Sequence, residues 1–193
     1  MRQTIRALRP AIMAGLLLGW GPAAAWAQAQ GKTFKATASV KTAGGAQLTA
    51  PVTVVVTRMT TDAERASVAE ALKKGGTAAV VECLKAMPDA GYIEVGQRRT
   101  TLKYAYARPM SGGRLVTVVA PTPIVHLGEG LPDAKPKAGF DLALAILEIK
   151  GSGPGTGELA PAATVKFSET HGIQTQDYGA ETVLLKDVQQ VKK

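Results

Sequence analysis

The sequence predicts a mainly β domain of the α+β class, an antiparallel sandwich or half-barrel with an inserted helical hairpin. Three observations predict it. Alternating or β-branched segments recur along most of the chain, with Gly- and Pro-containing turns between them. Helix signals are confined to one stretch, 61–87. No internal repeat occurs, and no strand–helix alternation of the kind that builds a doubly wound sheet.

The first segment is not part of that domain. MRQTIRALRPAIMAGLLLGWGPAAAWAQAQ opens with Arg2, Arg6 and Arg9, continues with an apolar run from Ala11 to Trp20, and ends in small residues, Ala23 to Ala29. This is the layout of a secretory signal peptide. An apolar run of this length falls short of the ~20 residues a spanning helix needs. Ala25-Trp26-Ala27 fits the small-x-small cleavage pattern, with a cut after Ala27 and Ala29 as a one-step alternative. No cysteine lies near the cut, so a lipid anchor is not expected, and the arginines are not adjacent, so the twin-arginine route is not either. The expected organisation is a cleaved signal peptide, 1–27, and a single exported β-rich domain, 28–193, in the periplasm or outside the cell by the general secretory route. No transmembrane segment is expected in the mature chain.

Removing 27 of 193 residues leaves 166, a comfortable size for one domain. Three arginines leave with the leader, so the formal charge falls from +8 to +5. Both tryptophans, Trp20 and Trp26, leave as well. The mature protein is therefore expected to show almost no tryptophan emission; strong emission from the purified protein would place the cut elsewhere. Cys83 is the single cysteine, so no internal disulfide forms and the core must supply the stability.

Along the mature chain, Phe34 to Val40 alternates, with Phe34, Ala36, Ala38 and Val40 on one side. Gly44-Gly45 marks a turn. Gln47 to Met59 is β-branched, and Pro51 near its start suits an edge or an irregular entry. Thr61-Asp62-Ala63-Glu64 is a capping box. It opens a helix that Lys73-Lys74-Gly75-Gly76 should end, with Val68 and Leu72 facing the core. A second helix is predicted from Thr77 to Met87, with Val80, Leu84 and Met87 as its apolar stripe and Pro88 as its stop. Strands follow at Tyr92–Val95, Thr100–Arg108 and Arg114–Ala120. The Thr100–Arg108 strand should put Leu102, Tyr104 and Tyr106 on one face. Phe140–Ile149 is almost wholly apolar and should be a central strand covered on both faces. Ala162–Ser168 and Thr182–Val188 complete the set.

The run KGSGPGTGE, 150–158, raises the question of phosphate binding. Its spacing is G-x-G-x-G-x-G, not the G-x-G-x-x-G of a dinucleotide loop, and no Gly-Lys-Ser/Thr follows. The next segment holds Pro161 and β-branched residues, so no helix N-terminus is expected to add anion affinity. A mobile hairpin turn is the expectation, with Leu144 and Val165 in adjacent antiparallel strands.

Other chemistry is sparse. His126, Glu129 and Asp133 lie in a turn-rich loop, 121–139, and are residue types that ligate metal, though at no known ligand spacing; ordinary exposed residues are the expectation. His171 lies in a turn and is expected to be solvated. Ser111 and Ser152 sit in glycine turns with no link to a histidine, and no G-x-S-x-G occurs. Cys83 reads as a small buried hydrophobe. Glu94 and Glu148 are a carboxylate pair whose separation the sequence does not set. Arg98, Arg99, Lys103 and Arg108 form a basic strip interleaved with Tyr104 and Tyr106, and a solvated strand face is expected there rather than a nucleic-acid site.

Several short stretches taken together resemble a loose group of uncharacterised secreted bacterial proteins. These are the capped helix Thr61–Lys74, Gly91-Tyr92-Ile93, Tyr104-Ala105-Tyr106-Ala107-Arg108, Gly113-Arg114, the apolar Leu142–Ile149 and the Gly153–Gly157 turn. The resemblance spans most of the mature chain and brings no functional residues with it. The expected function is an exported non-enzymatic module that binds a small apolar ligand, a lipid or an envelope partner, with no cofactor and no nucleic acid. The alternatives are a metal-assisted hydrolase using the 121–139 loop, and a structural or assembly component of the envelope.

Overall fold

A computed structural model describes residues 31–41, 47–128 and 130–191. The leader, the cut at Ala27 and the Gly44-Gly45 turn lie outside the described residues. The chain forms β1 (Lys32–Lys41), β2 (Gln47–Val56), α1 (Asp62–Ala86), β3 (Gly91–Val95), β4 (Arg98–Leu102) and β5 (Tyr104–Met110). It continues with β6 (Gly113–Ala120), β7 (Leu142–Lys150), β8 (Gly155–Ser168), β9 (Gly172–Tyr178) and β10 (Val183–Val191). The fold is mainly antiparallel β with an inserted helix, as the turn-punctuated alternation predicts.

The ten strands of the described residues belong to one sheet, in the order β4-β3-β2-β1-β10-β8-β7-β6-β5, with β9 beside β8. The two strands at the ends of that order, β4 and β5, are joined by Lys103 alone. The sheet therefore curls into a half-barrel whose edges run into each other. The Lys103 N–H donates to Val119 O of β6 (3.0 Å), across the seam.

This seam corrects one expectation. Leu102 does not share a face with Tyr104 and Tyr106. It packs in the inner core, while both tyrosines face the helix. Alternation holds within a strand, but Thr100–Arg108 is two strands, and the chain changes edge between them.

The inner core takes side chains from nearly every strand, including Phe34, Val54, Ile93, Val118, Leu147 and Leu185. A second core lies on the outer face, where Val68, Val80 and Leu84 of α1 meet Tyr104, Leu144 and Ile173. β7 serves both: Ala145 and Leu147 point inward, Leu142 and Leu144 toward the helix. Its continuous apolar run is explained by cover on two faces.

The two helical arms predicted on either side of Gly75-Gly76 are both present, separated by non-helical backbone at those two glycines. Gly76 takes φ 64° and turns the chain back, so the two ends of the 25-residue segment meet: Arg58 Nη2 donates to Glu64 Oε1 at 2.7 Å and to Pro88 O at 3.4 Å. The capping box is present. Thr61 Oγ1 accepts from the Glu64 N–H (3.3 Å), and Glu64 Oε2 accepts from the Thr61 N–H (2.8 Å). Arg58 donates to both oxygens of Glu64, at 2.7 and 2.9 Å. That hydrogen-bonded guanidinium, helped by Thr61, lowers the Glu64 carboxyl from 4.5 to about 2. A carboxyl depressed in the folded state stabilises it above the unfolded value, and the contribution fades as pH falls from about 4.5 toward about 2. Glu64→Gln is thus expected to lower the urea midpoint at pH 7 and to flatten its dependence on pH in that acid window. An unchanged acid slope would separate Glu64 from the stability of α1.

β8 begins at Gly155, earlier than the predicted Ala162, so Gly155 and Gly157 are strand residues and the turn shrinks to 151–154. Leu144 and Val165 do lie in adjacent antiparallel strands. Pro161 is accommodated at a bulge, where Pro161 and Ala162 together oppose Ala143. There β8 also changes its other neighbour, from β10 to β9. β9 itself was not expected: its sequence, GIQTQDY, is too polar to read as a strand.

Candidate functional site

The two ends of the half-barrel differ. One is stoppered by the 121–139 loop. Ile124, Leu127, Leu131 and Ala134 insert into the inner core. Gly128 lies so close to the Ala50 side chain that a Cβ there would come within 2.6 Å of it. Ile124 N–H donates to Pro161 O (2.9 Å) and Lys137 N–H to Gly179 O (2.9 Å), tying the loop down on both sides. The expected exposed loop is thus a plug, and the spaced apolar residues Ile124, Leu127 and Leu131 are the sequence sign of it.

Within that plug, His126 Nδ1 and Asp133 Oδ1 are 3.1 Å apart, and both residues reach the surface. Glu129 lies outside the described residues. Among the described residues, no three His, Cys, Asp or Glu side chains gather as a metal group. The structure therefore brings together two of the three candidate ligands, as a hydrogen-bonded pair.

At the other end the segment before α1 covers one side, with Met59 against the inner core. The side formed by β6, β7 and β10 is left as a cleft of about 440 Å³. Arg114, Ile149, Lys150, Gly151, Gly153, Val188, Gln189 and Gln190 line it. Arg114 is in register with Ile149, an inner-core residue, so it projects from the same face, at the rim. Arg114 Nη2 donates to Gln190 Oε1 across the cleft, while its Nε is buried with no partner. The glycine run that raised the phosphate question forms one wall. Gly151 N–H is already spent on Gly112 O (2.9 Å), and the two turn residues that line the cleft, Gly151 and Gly153, bring no side chain into it.

The basic strip does not act as one patch. Arg99 pairs with Glu94 (2.5 Å) and lies 4.4 Å over the Tyr92 ring, while Lys103 pairs with Asp89 (2.7 Å). The Glu94 hydrogen bond raises the Arg99 guanidinium further above its ordinary value. Tyr104 is fully buried, and burial raises its phenol above the usual range. Tyr106 carries Arg65 over its ring at 4.1 Å. The tyrosines thus belong to the helix–sheet core and its margin.

The remaining candidates separate. Glu94 is held by Arg99 on β3, and Glu148 accepts from Thr156 Oγ1 (3.1 Å) on β7; four strands lie between them in the sheet order. Cys83 is half-buried beside the helix core, and burial pushes its thiol pKa up, away from the reactive thiolate. His171 is half-buried rather than freely solvated. Its Nδ1 lies 2.8 Å from Thr170 Oγ1 and 3.1 Å from Ser168 Oγ. The same Ser168 oxygen accepts the His171 backbone N–H (3.1 Å), so the cluster is a self-satisfied turn. Among the described residues no carboxylate is bonded to that imidazole, so the third member of a nucleophile–base–orienter set is missing there. Ser111 and Ser152 stay exposed in their turns.

No helix among the described residues is long and apolar enough to cross a membrane. No family model matches the chain, and neither a curated protein nor a solved structure matches it.

Proposed function

We propose that the domain is an exported, non-enzymatic binding module that engages its ligand or envelope partner at the rim between β6, β7 and β10. The observation that carries this reading is the inequality of the two ends: one is stoppered by the chain's own apolar loop, with a cleft of about 200 Å³ beside it, and the other keeps a lined cleft of about 440 Å³. A small apolar ligand inside the half-barrel would need an empty interior. Phe34, Leu147, Leu159 and Leu185 instead fill it, each at most 1% exposed. Recognition is thereby moved from the interior to the rim, where polar and apolar surface lie together.

Native mass spectrometry of the mature protein purified from its own host tests this. A copurified molecule that is displaced when Lys150 is replaced by Glu is the expected result. A bare monomer mass, unchanged after incubation with host envelope extract, would overturn it. The close His126–Asp133 pair keeps the metal-assisted hydrolase as a second reading. Stoichiometric metal that disappears in a His126→Ala variant would establish it in place of the binding reading.

A further inference from the structure

We infer that the rim cleft is a phosphate site, in which one phosphate group is held by Arg114 and Lys150. The inference rests on the rim-binding reading and gives it a ligand chemistry.

Charge is the first argument. Among the described residues, Arg114 and Lys150 are the only charged ones lining the cleft, and no carboxylate lines it. Three other arginines are neutralised at close range, Arg58 by Glu64 at 2.7 Å, Arg65 by Asp62 at 3.1 Å and Arg99 by Glu94 at 2.5 Å, while Arg98 and Arg108, which do not line the cleft, form no ion pair among the described residues. Arg114 has a neutral partner, the Gln190 amide oxygen. That bond fixes the direction of the guanidinium and leaves its charge uncompensated. A partly buried cation without a counter-charge is costly, and an anion arriving from solution supplies what the chain omits.

Shape is the second argument. The planar guanidinium presents paired donors matched to phosphate oxygens. Lys150, exposed at the end of β7 and in register with Gly113 beside Arg114, adds a second charge at the strand end. Gly151 and Gly153 have no side chains to fill the space between, and a Cβ at Gly153 would meet nothing within 4 Å. Ile149 and Val188 add apolar surface beneath the polar rim. The glycine run thus contributes by leaving room, while the two cations contribute the attraction.

The phosphate has two possible sources, a soluble phosphate compound or a lipid headgroup. The probes are inorganic phosphate, followed by amide chemical shifts, and vesicles of phosphatidylglycerol against phosphatidylcholine, followed by cosedimentation. At constant ionic strength in chloride, phosphate is expected to shift the amides around Arg114, Ile149–Gly153 and Val188–Gln190. Arg114→Gln should weaken that response at least tenfold and Lys150→Gln several-fold. Lys150 is exposed at a strand end, so its variant reads the site even if Arg114→Gln fails to fold. Binding to phosphatidylglycerol vesicles that both changes abolish assigns the headgroup; phosphate shifts without vesicle binding assign the soluble source. Either result supports the site. No phosphate-specific shifts, or shifts that survive both changes, overturn it. A neutral molecule found at the rim with no phosphate response would overturn the phosphate chemistry and leave the rim-binding reading standing.

Discussion

Gly155→Val is expected to remove the cooperative unfolding transition. β8 opens at Gly155 between two neighbours, with β7 on one side and β10 on the other. A Cβ there would lie 1.8 Å from Glu148 O and 3.4 Å from Val188 O, and the nearer of these is a backbone atom in the middle of a ladder. No side-chain rotation relieves such a clash. Either β7 or β8 must move, and both line the inner core. The loss should exceed about 4 kcal/mol, which marks backbone obstruction rather than ordinary substitution. The comparison is Gly153→Ala, two residues away. Its φ of 75° disfavours a side chain, but the space is open, so the cost should stay near 1–2 kcal/mol. Urea melts of the two variants test the pair. A Gly155→Val protein with a wild-type midpoint would mean that β8 does not start there.

The second large effect is at the centre of β7. Leu147 is fully buried in the inner core, while its neighbour Ile146 lies on the outer face and is only partly buried. Leu147→Ala should cost about 3–4 kcal/mol, a transfer loss plus an unfilled cavity. That is a large share of the 5–15 kcal/mol typical of a whole domain. Ile146→Ala should cost clearly less. Equal losses at both positions would contradict an inner core that is better sealed than the outer one.

Local signals and long-range ones differed in what they revealed. The capped helix, the strands from β5 to β7 and the cover on both faces of β7 follow from period and composition, because each is decided within a dozen residues. The seam at Lys103 is invisible locally: RRTTLKYAYA keeps a two-residue period across a change of edge. The pairing of β1 with β10 is decided by the curl of the whole sheet. β9 escapes notice because Gln174, Gln176 and Asp177 make it polar, and Ile173 is its main apolar contribution to the core. The rim cleft is the clearest limit. Arg114 and the glycine run are each legible in the sequence. Their meeting depends on the β6–β7 register and on Gln190, which arrives from the last strand. The 121–139 loop shows the converse. Its polar residues attracted the chemical reading, while Ile124, Leu127 and Leu131 carried the structural one.

The β1–β10 ladder has a consequence for the order in which the molecule can assemble. Thr33 pairs with Val191 and Ala38 with Leu185, so the earliest described strand finds a neighbour only when the latest is available. A chain delivered N-terminus first, whether from a ribosome or through a translocation channel, can form the β1–β2 hairpin and the β5–β6–β7 meander early, since those pairings are local. The join between these halves must wait, because β10 is the strand that connects β1 to β8. Until it arrives, β1 and the outer margin of β8 are unsatisfied edges, the kind of surface that recruits other chains. Interception of the nascent chain by a holdase, or aggregation if none is present, should therefore peak late in synthesis and fall abruptly once residues 183–191 have emerged.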